Sequence, residues 1–372
     1  MERASDSAAP APMYESKPAS VTAYLSLKIA LYRLCKWIGL FRIARRATRH
    51  GLRILCYHGF SMADESEFSP RTFMKPATFE KRMRFLKKKG FPVLGLGDAL
   101  AAIDAGILPP NAVAITIDDG FYGVYRCAWP ILRKLSLPAT VYVTTYYALK
   151  KNPIFRIVVQ YMFWKTRVRS LSLADLGLPG MESVSIAESA DKDRVLLAVI
   201  RHGETSCDEE GRQRIAARLG ERLGVDYRTI AESRILSIMT VDEIAELSRG
   251  GIDIELHSHR HDLPLERAAA EREIGENRAV LDPLAGGARR HFCYPSGFFR
   301  REQLPWLSDF GIESAVTCIR GLNYSDTPKL ELMRFIDGED VSFIEYEAEI
   351  EGFSELLRRV LAGPKALVGK GG

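Results

Sequence analysis

Two carboxylates stand side by side, Asp118-Asp119, at the end of the apolar run AVAITID (112–118), with Gly120 directly after them. An apolar run carrying β-branched isoleucines reads as a buried strand. Two charged carboxylates at its end are costly unless something positive lies beside them. A second strand-like run, GIDIEL (251–256), leads straight into HSHRH (257–261). Imidazole is a common ligand for borderline divalent metals, and two histidines plus one carboxylate leave open positions for water and substrate. His257 and His261, four apart, have the spacing that lets both rings converge, whereas His259 is offset and points elsewhere. One aspartate would complete the ligand set; the other, free beside a metal-bound water, is placed to act as general base. The competing interpretation is a solvated HSHRH loop and an Asp pair that merely caps the next helix. Finding both motifs at strand ends favours the cation.

The elements that must position these residues alternate along the chain. RILCY (53–57) is expected as a strand and PATFEKRMRFLKKKG (76–90) as a helix. After AVAITID come a helix over 123–135 that Pro130 should kink and the strand ATVYVTT (139–145). TVDEIAELSRGG (240–251) has the capping-box pair Thr240 and Glu243 and a glycine stop. GIDIEL is followed by a helix over 264–281 with Ala270, Ile274 and Leu281 on one stripe, then by strands HFCY (291–294) and IESAVTC (312–318). Strand–helix alternation implies a parallel sheet, open or closed into a barrel, with function at the C-terminal strand ends. Between Tyr146 and Ser237 the alternation stops. Residues 146–237 are expected as a helical insertion, with His202 an ordinary surface histidine, and residues 51–145 and 238–360 as the catalytic core.

The 372-residue chain is 47% hydrophobic and 27% charged, an ordinary globular composition. Its six cysteines are widely spaced and form no CxxC pair, against a Cys-rich zinc site or a disulfide framework, and reduced thiols fit a cytoplasmic location. From Ser16 to Ala63 there are nine Lys and Arg and no Asp or Glu. The formal net charge is only +5, so the rest of the chain is net acidic and no nucleic-acid partner is expected. Residues 1–20, rich in Ala, Ser and Pro, are expected to be a disordered tail. Residues 21–43 are apolar but interrupted by Lys28, Arg33, Lys36 and Arg42, which suits neither a spanning helix nor a secretory signal. Two expectations remain for 21–50: a basic amphipathic helix on an anionic membrane surface, or a helix packed on the main domain or another subunit.

Four segments in order, ILCYHG (54–59), ITIDDG (115–120), LHSHRH (256–261) and FCYPSG (292–297), resemble the polysaccharide deacetylase, or NodB-homology, family in its FxYPxG form. The resemblance runs from Arg53 to Phe353 without the insertion. It implies a distorted (β/α) barrel that uses a divalent metal, usually zinc. The implied reaction removes N-acetyl groups from a glycan or lipid-linked saccharide in polysaccharide biosynthesis or modification. It also implies Asp118 as base, Asp119, His257 and His261 as metal ligands, and the Ser296 N–H, after Pro295, as oxyanion donor. Tyr294, Pro295 and Gly297 are then substrate-side residues, glycine letting the backbone come close to the substrate. Two departures stand out. Cys293 replaces an arginine that ordinarily pairs with the catalytic carboxylate, so Arg334 in LELMRF is the expected substitute, with Arg290 second. No histidine follows His291, so His58, or Asp118 acting twice, must protonate the leaving amine. The alternatives are an O-acetyl esterase on a polysaccharide and a silent sugar-binding member. Location is expected to be cytoplasmic, either free or peripheral on the inner face of the membrane.

Overall fold

The structure, a computed structural model, describes residues 19–285 and 287–362. The tail expected over 1–20 lies, up to residue 18, outside them.

Eight parallel strands form one sheet. In chain order they are Arg53–Tyr57 (β1), Val93–Leu94 (β2), Val113–Ile117 (β3), Thr140–Val143 (β4), Asp253–Leu256 (β5), His291–Cys293 (β6), Ser314–Val316 (β7) and Phe335–Ile336 (β8). The spatial path is β7-β6-β5-β4-β3-β1-β8, with β2 paired to the start of β3. Its two ends meet through a parallel bridge between Val316 and Leu332, just before β8. The sheet is thus drawn round into a barrel. β1 and β3 are buried at all five positions each, which is why they read as unbroken apolar runs rather than alternating ones. Their register pairs Tyr57 with Ile117, so His58 and Asp118 emerge at the same level of the rim.

The helices follow the expected pattern with local differences. The capping box at Thr240 forms, its hydroxyl accepting from Glu243 N–H while the Glu243 carboxylate accepts from Thr240 N–H. Ala270, Ile274 and Leu281 are buried along the Arg267–Ala285 helix. The expected kink at Pro130 takes another form. Val124–Ala128 is wound as a π-turn, and Pro130 falls in the first turn of the Trp129–Leu135 helix, where its missing N–H costs nothing.

A compact unit over Pro153–Leu236 contains the helices Phe155–Lys165, Ser189–Ser206, Glu209–Leu223 and Tyr227–Ser233. Their buried faces (Val158, Met162, Val199 and Leu219 among them) supply that unit's own apolar core. Near the chain start, the helices Ala19–Trp37 and Leu40–Ala47 bury Tyr32, Cys35, Phe41 and Ala44. Phe41 stacks on Phe353 at 4.9 Å, and Lys28 and Lys36 pair with Glu345 and Glu347 at 2.8 and 2.5 Å. One face of the first helix therefore rests on the C-terminal helices Phe343–Ile350 and Phe353–Ala362. Among the described residues no helix is long and apolar enough to cross a membrane.

Candidate metal and catalytic site

Asp118 ends β3 and is fixed at once by its backbone, whose N–H donates to Tyr57 O at 2.8 Å. Its side chain is buried. Arg334 grips it with two parallel bonds, Nη1 to Oδ1 at 2.7 Å and Nη2 to Oδ2 at 2.8 Å. The guanidinium is wholly buried and uses its Nε on Thr317 O and its Nη1 on Thr116 Oγ1. Burial alone would push the Asp118 carboxyl up, but the Arg334 charge and bonds more than offset this and hold it well below the usual carboxylate range. Two thiols complete the surroundings. Cys56 and Cys293 lie at 3.4 and 3.3 Å from Oδ2; burial raises both thiols, so they stay protonated and donate. The expected Arg334 partnership is present. Arg290, the second choice, sits on the surface paired to Glu313.

Asp119 faces differently. Its backbone is left-handed (φ 67°), which turns the second carboxylate away from the first. His257 Nε2 lies 3.1 Å and His261 Nε2 3.4 Å from the same oxygen, Oδ1. The two rings stand edge to face with centroids 4.8 Å apart. One donor atom from each of the three residues lies within 4.8 Å of the others. The loop that achieves this is itself strained, with Ser258 and His261 at φ 59° and 60°.

The donor chemistry fits a cation. His257 Nδ1 is 2.8 Å from Cys293 O, and a carbonyl can only accept, so the ring proton is on Nδ1. The bare Nε2 then faces a carboxylate oxygen, acceptor against acceptor. Only a second proton or a metal ion resolves that contact. The electrostatics agree. Burial would raise Asp119, yet the two histidines hold it well below its ordinary value; burial would lower His261, yet Asp119 raises it. His259 is turned away as expected, with Nδ1 2.8 Å from Thr145 Oγ1 and Nε2 near Glu276.

The remaining expected residues divide. His58 is at the rim, Nε2 3.8 Å from Asp118 Oδ2, while its Nδ1 is buried without a hydrogen bond. Ser296 is exposed and left-handed (φ 54°), and the turn's hydrogen bonds use the N–H groups of Gly297 and Phe298 rather than its own. Tyr294, Pro295 and Gly297, expected on the substrate side, form the base of this turn. Tyr294 is fully buried, donates to Leu330 O and stacks on Phe299 at 4.5 Å; Pro295 is buried beside it. Glycine is needed at Gly297 (φ 72°) because a Cβ there would strike Cys318. These three residues build the turn that displays Ser296.

Two features escaped the sequence reading. Asn277 Oδ1 accepts from His257 N–H, while its Nδ2 donates to Val143 O and Thr145 Oγ1. An asparagine on the same buried stripe as Ile274 and Leu281 was the available signal. For the thiols, Cys293 had a signal in standing where the resembled family has an arginine that pairs with the carboxylate, while Cys56 gave none.

No family model and no curated protein matches the chain. Solved structures do. The Streptococcus pyogenes deacetylase PplD, determined with acetate, matches with TM-score 0.53 at 17% identity, over 82% of this chain and 99% of that one. IcaB from Ammonifex degensii matches with TM-score 0.50 at 19% identity, over 81% and 97%. The chain shares the distorted (β/α) barrel fold of these two structures. In this barrel the Asp pair and the histidine loop follow β3 and β5, at the rim where such folds carry chemistry.

Proposed function

We propose that the protein removes N-acetyl groups from a glycan, producing a free amine and acetate. One observation carries this reading: Asp119, His257 and His261 converge on a single point beside a second carboxylate, Asp118, which Arg334 keeps charged. The PplD likeness, to a deacetylase that holds acetate, points the same way. Zinc is the first choice of ion for a set of two imidazoles and one carboxylate. Such an ion, held by Asp119, His257 and His261, would polarise the amide carbonyl and acidify water.

The chain's own residues supply the rest. Asp118 takes the proton of the attacking water. A carboxylate held this low keeps a proton poorly, so the proton is passed on. His58, at the rim 3.8 Å from Asp118, takes it and returns it to the leaving amine as the C–N bond breaks. The Ser296 N–H, unused by its own turn, donates to the oxyanion as the carbonyl carbon becomes tetrahedral. Arg334 anchors Asp118 and touches no substrate; it is a positioning residue.

The finer reading is a lipid-linked saccharide met at the cytoplasmic face of a membrane, with residues 21–50 making peripheral contact. The test offers acetylated oligosaccharides and lipid-linked GlcNAc carriers and measures released acetate with and without chelator. Chelator-sensitive release supports the proposal. Absence of release from every N-acetylated substrate, with O-acetyl esters cleaved, would replace it by the esterase.

A further inference from the structure

The first helix has two apolar faces, and the barrel uses only one. Ile29, Tyr32 and Cys35 face the C-terminal helices, with Lys28 and Lys36 bonded into the same seam. Leu27, Leu31 and Leu34 on another side of the helix, and Ile38 just past its end, are spaced by four, three and four and are 70%, 52%, 52% and 54% exposed. Trp37 at the edge of that stripe is 83% exposed, and Ile43 on the next helix is 61% exposed. Arg33, Arg42 and Arg46 are exposed around them.

Such a surface needs an occupant. A second copy fits poorly: the stripe spans under two heptads, roughly 18 Å of helix, far from the ~1,200–2,000 Å² that stable partners bury. A two-fold contact would also bring both sets of arginines together, with no acidic residue between Ser16 and Ala63 to separate them. An anionic bilayer supplies what is missing, with acyl chains for the leucines, headgroup depth for the tryptophan and negative charge for the arginines. We propose that the Leu27–Leu31–Leu34–Ile38 stripe inserts at the headgroup boundary of an anionic membrane, Arg33, Arg42 and Arg46 binding its headgroups. This deepens the membrane part of the proposed function by naming the surface. Because the opposite face is bonded to the barrel's own helices, the lipid contact and the barrel form one body.

The test uses the full chain and co-sedimentation with vesicles of phosphatidylcholine, or of an equimolar mixture with phosphatidylglycerol. Binding is expected only to the mixture. The Leu31→Glu/Leu34→Glu variant should bind at least about tenfold more weakly, and each Arg→Gln on the order of fivefold. No binding by the parent chain overturns the inference. So does binding that the arginine variants lose and the leucine variant keeps, which would leave an electrostatic contact without the stripe. A dimer dissolved by the leucine variant, with no vesicle binding, would assign the stripe to a second copy. Acetate release from a soluble oligosaccharide is measured in parallel. It should be unchanged in the leucine variant, and absence of release by the parent from every N-acetylated substrate, lipid-linked carriers included, would sink the deacetylase while leaving the vesicle result standing.

Discussion

Asp118 and Asp119 are neighbours in the chain but not in their surroundings. Around Asp118 stand a bidentate arginine and two thiols, with the rim histidine His58 at 3.8 Å. Around Asp119 two imidazoles approach a single oxygen from different sides. Glu255 on β5 gives a third case. It too is buried, with Asp253 near it and only backbone N–H groups and a distant Arg289 in compensation, and it is pushed up to about 8. Burial therefore raises a carboxylate in this barrel unless a cation is close. The low values of the Asp pair report what stands beside them: a guanidinium for one, and two imidazoles for the other.

The difference can be broken from either side. Asp118→Asn should lower acetate release by roughly 10²–10⁴-fold while metal content, read by elemental analysis, stays at the parent level. Loss of metal in that variant would exchange the roles of the two aspartates. His257→Ala should empty the other side, with metal affinity falling by more than the roughly 10–100-fold typical of an outer partner. A variant with full metal and full rate would remove His257 from the set.

Arg334→Ala leaves Asp118 buried without its cation, so stability should drop by about 3–5 kcal/mol and turnover should fall, with the metal retained. Arg334→Lys, which keeps the charge but not the fork, should recover stability better than rate. Unchanged rates in both would leave Asp118 with no positioning partner. Asn277→Ala should weaken metal binding by about tenfold, through the released His257 backbone. The smallest effect concerns Glu255. Its carboxyl keeps a proton in the folded state up to about pH 8, whereas unfolded it would titrate near its ordinary 4.5. Between those values the folded form binds the extra proton, so stability falls as pH rises. Glu255→Gln should thus raise Tm at pH 8 and leave it unchanged near pH 4; an equal gain at both would deny the linkage.

Much of this site was legible because strand ends announce themselves. AVAITID and GIDIEL placed the Asp pair and the histidine loop at one rim, and the strand-like segment before Phe335 carried Arg334 to Asp118. The FCYPSG turn was read only by residue type. Letters do not say which side of a turn faces outward, and Tyr294, Pro295 and Gly297 proved to be its support. The first helix was opaque for another reason. With two apolar faces, and two of its lysines bonded inward, its charges follow no single polar side. Barrel closure was implied by the family resemblance and not by the strand–helix alternation, which does not show that the segments of Val316 and Leu332 meet.

Arg334 also belongs to that closure. Its backbone N–H donates to Ile319 O and its Nε to Thr317 O, just past the bridge, while its fork crosses the interior to Asp118. The latch that shuts the cylinder is thus the same part that arms the carboxylate. Prising the last strand away would disarm the protein in the same motion, so heat should extinguish turnover and unzip the seam together rather than in sequence.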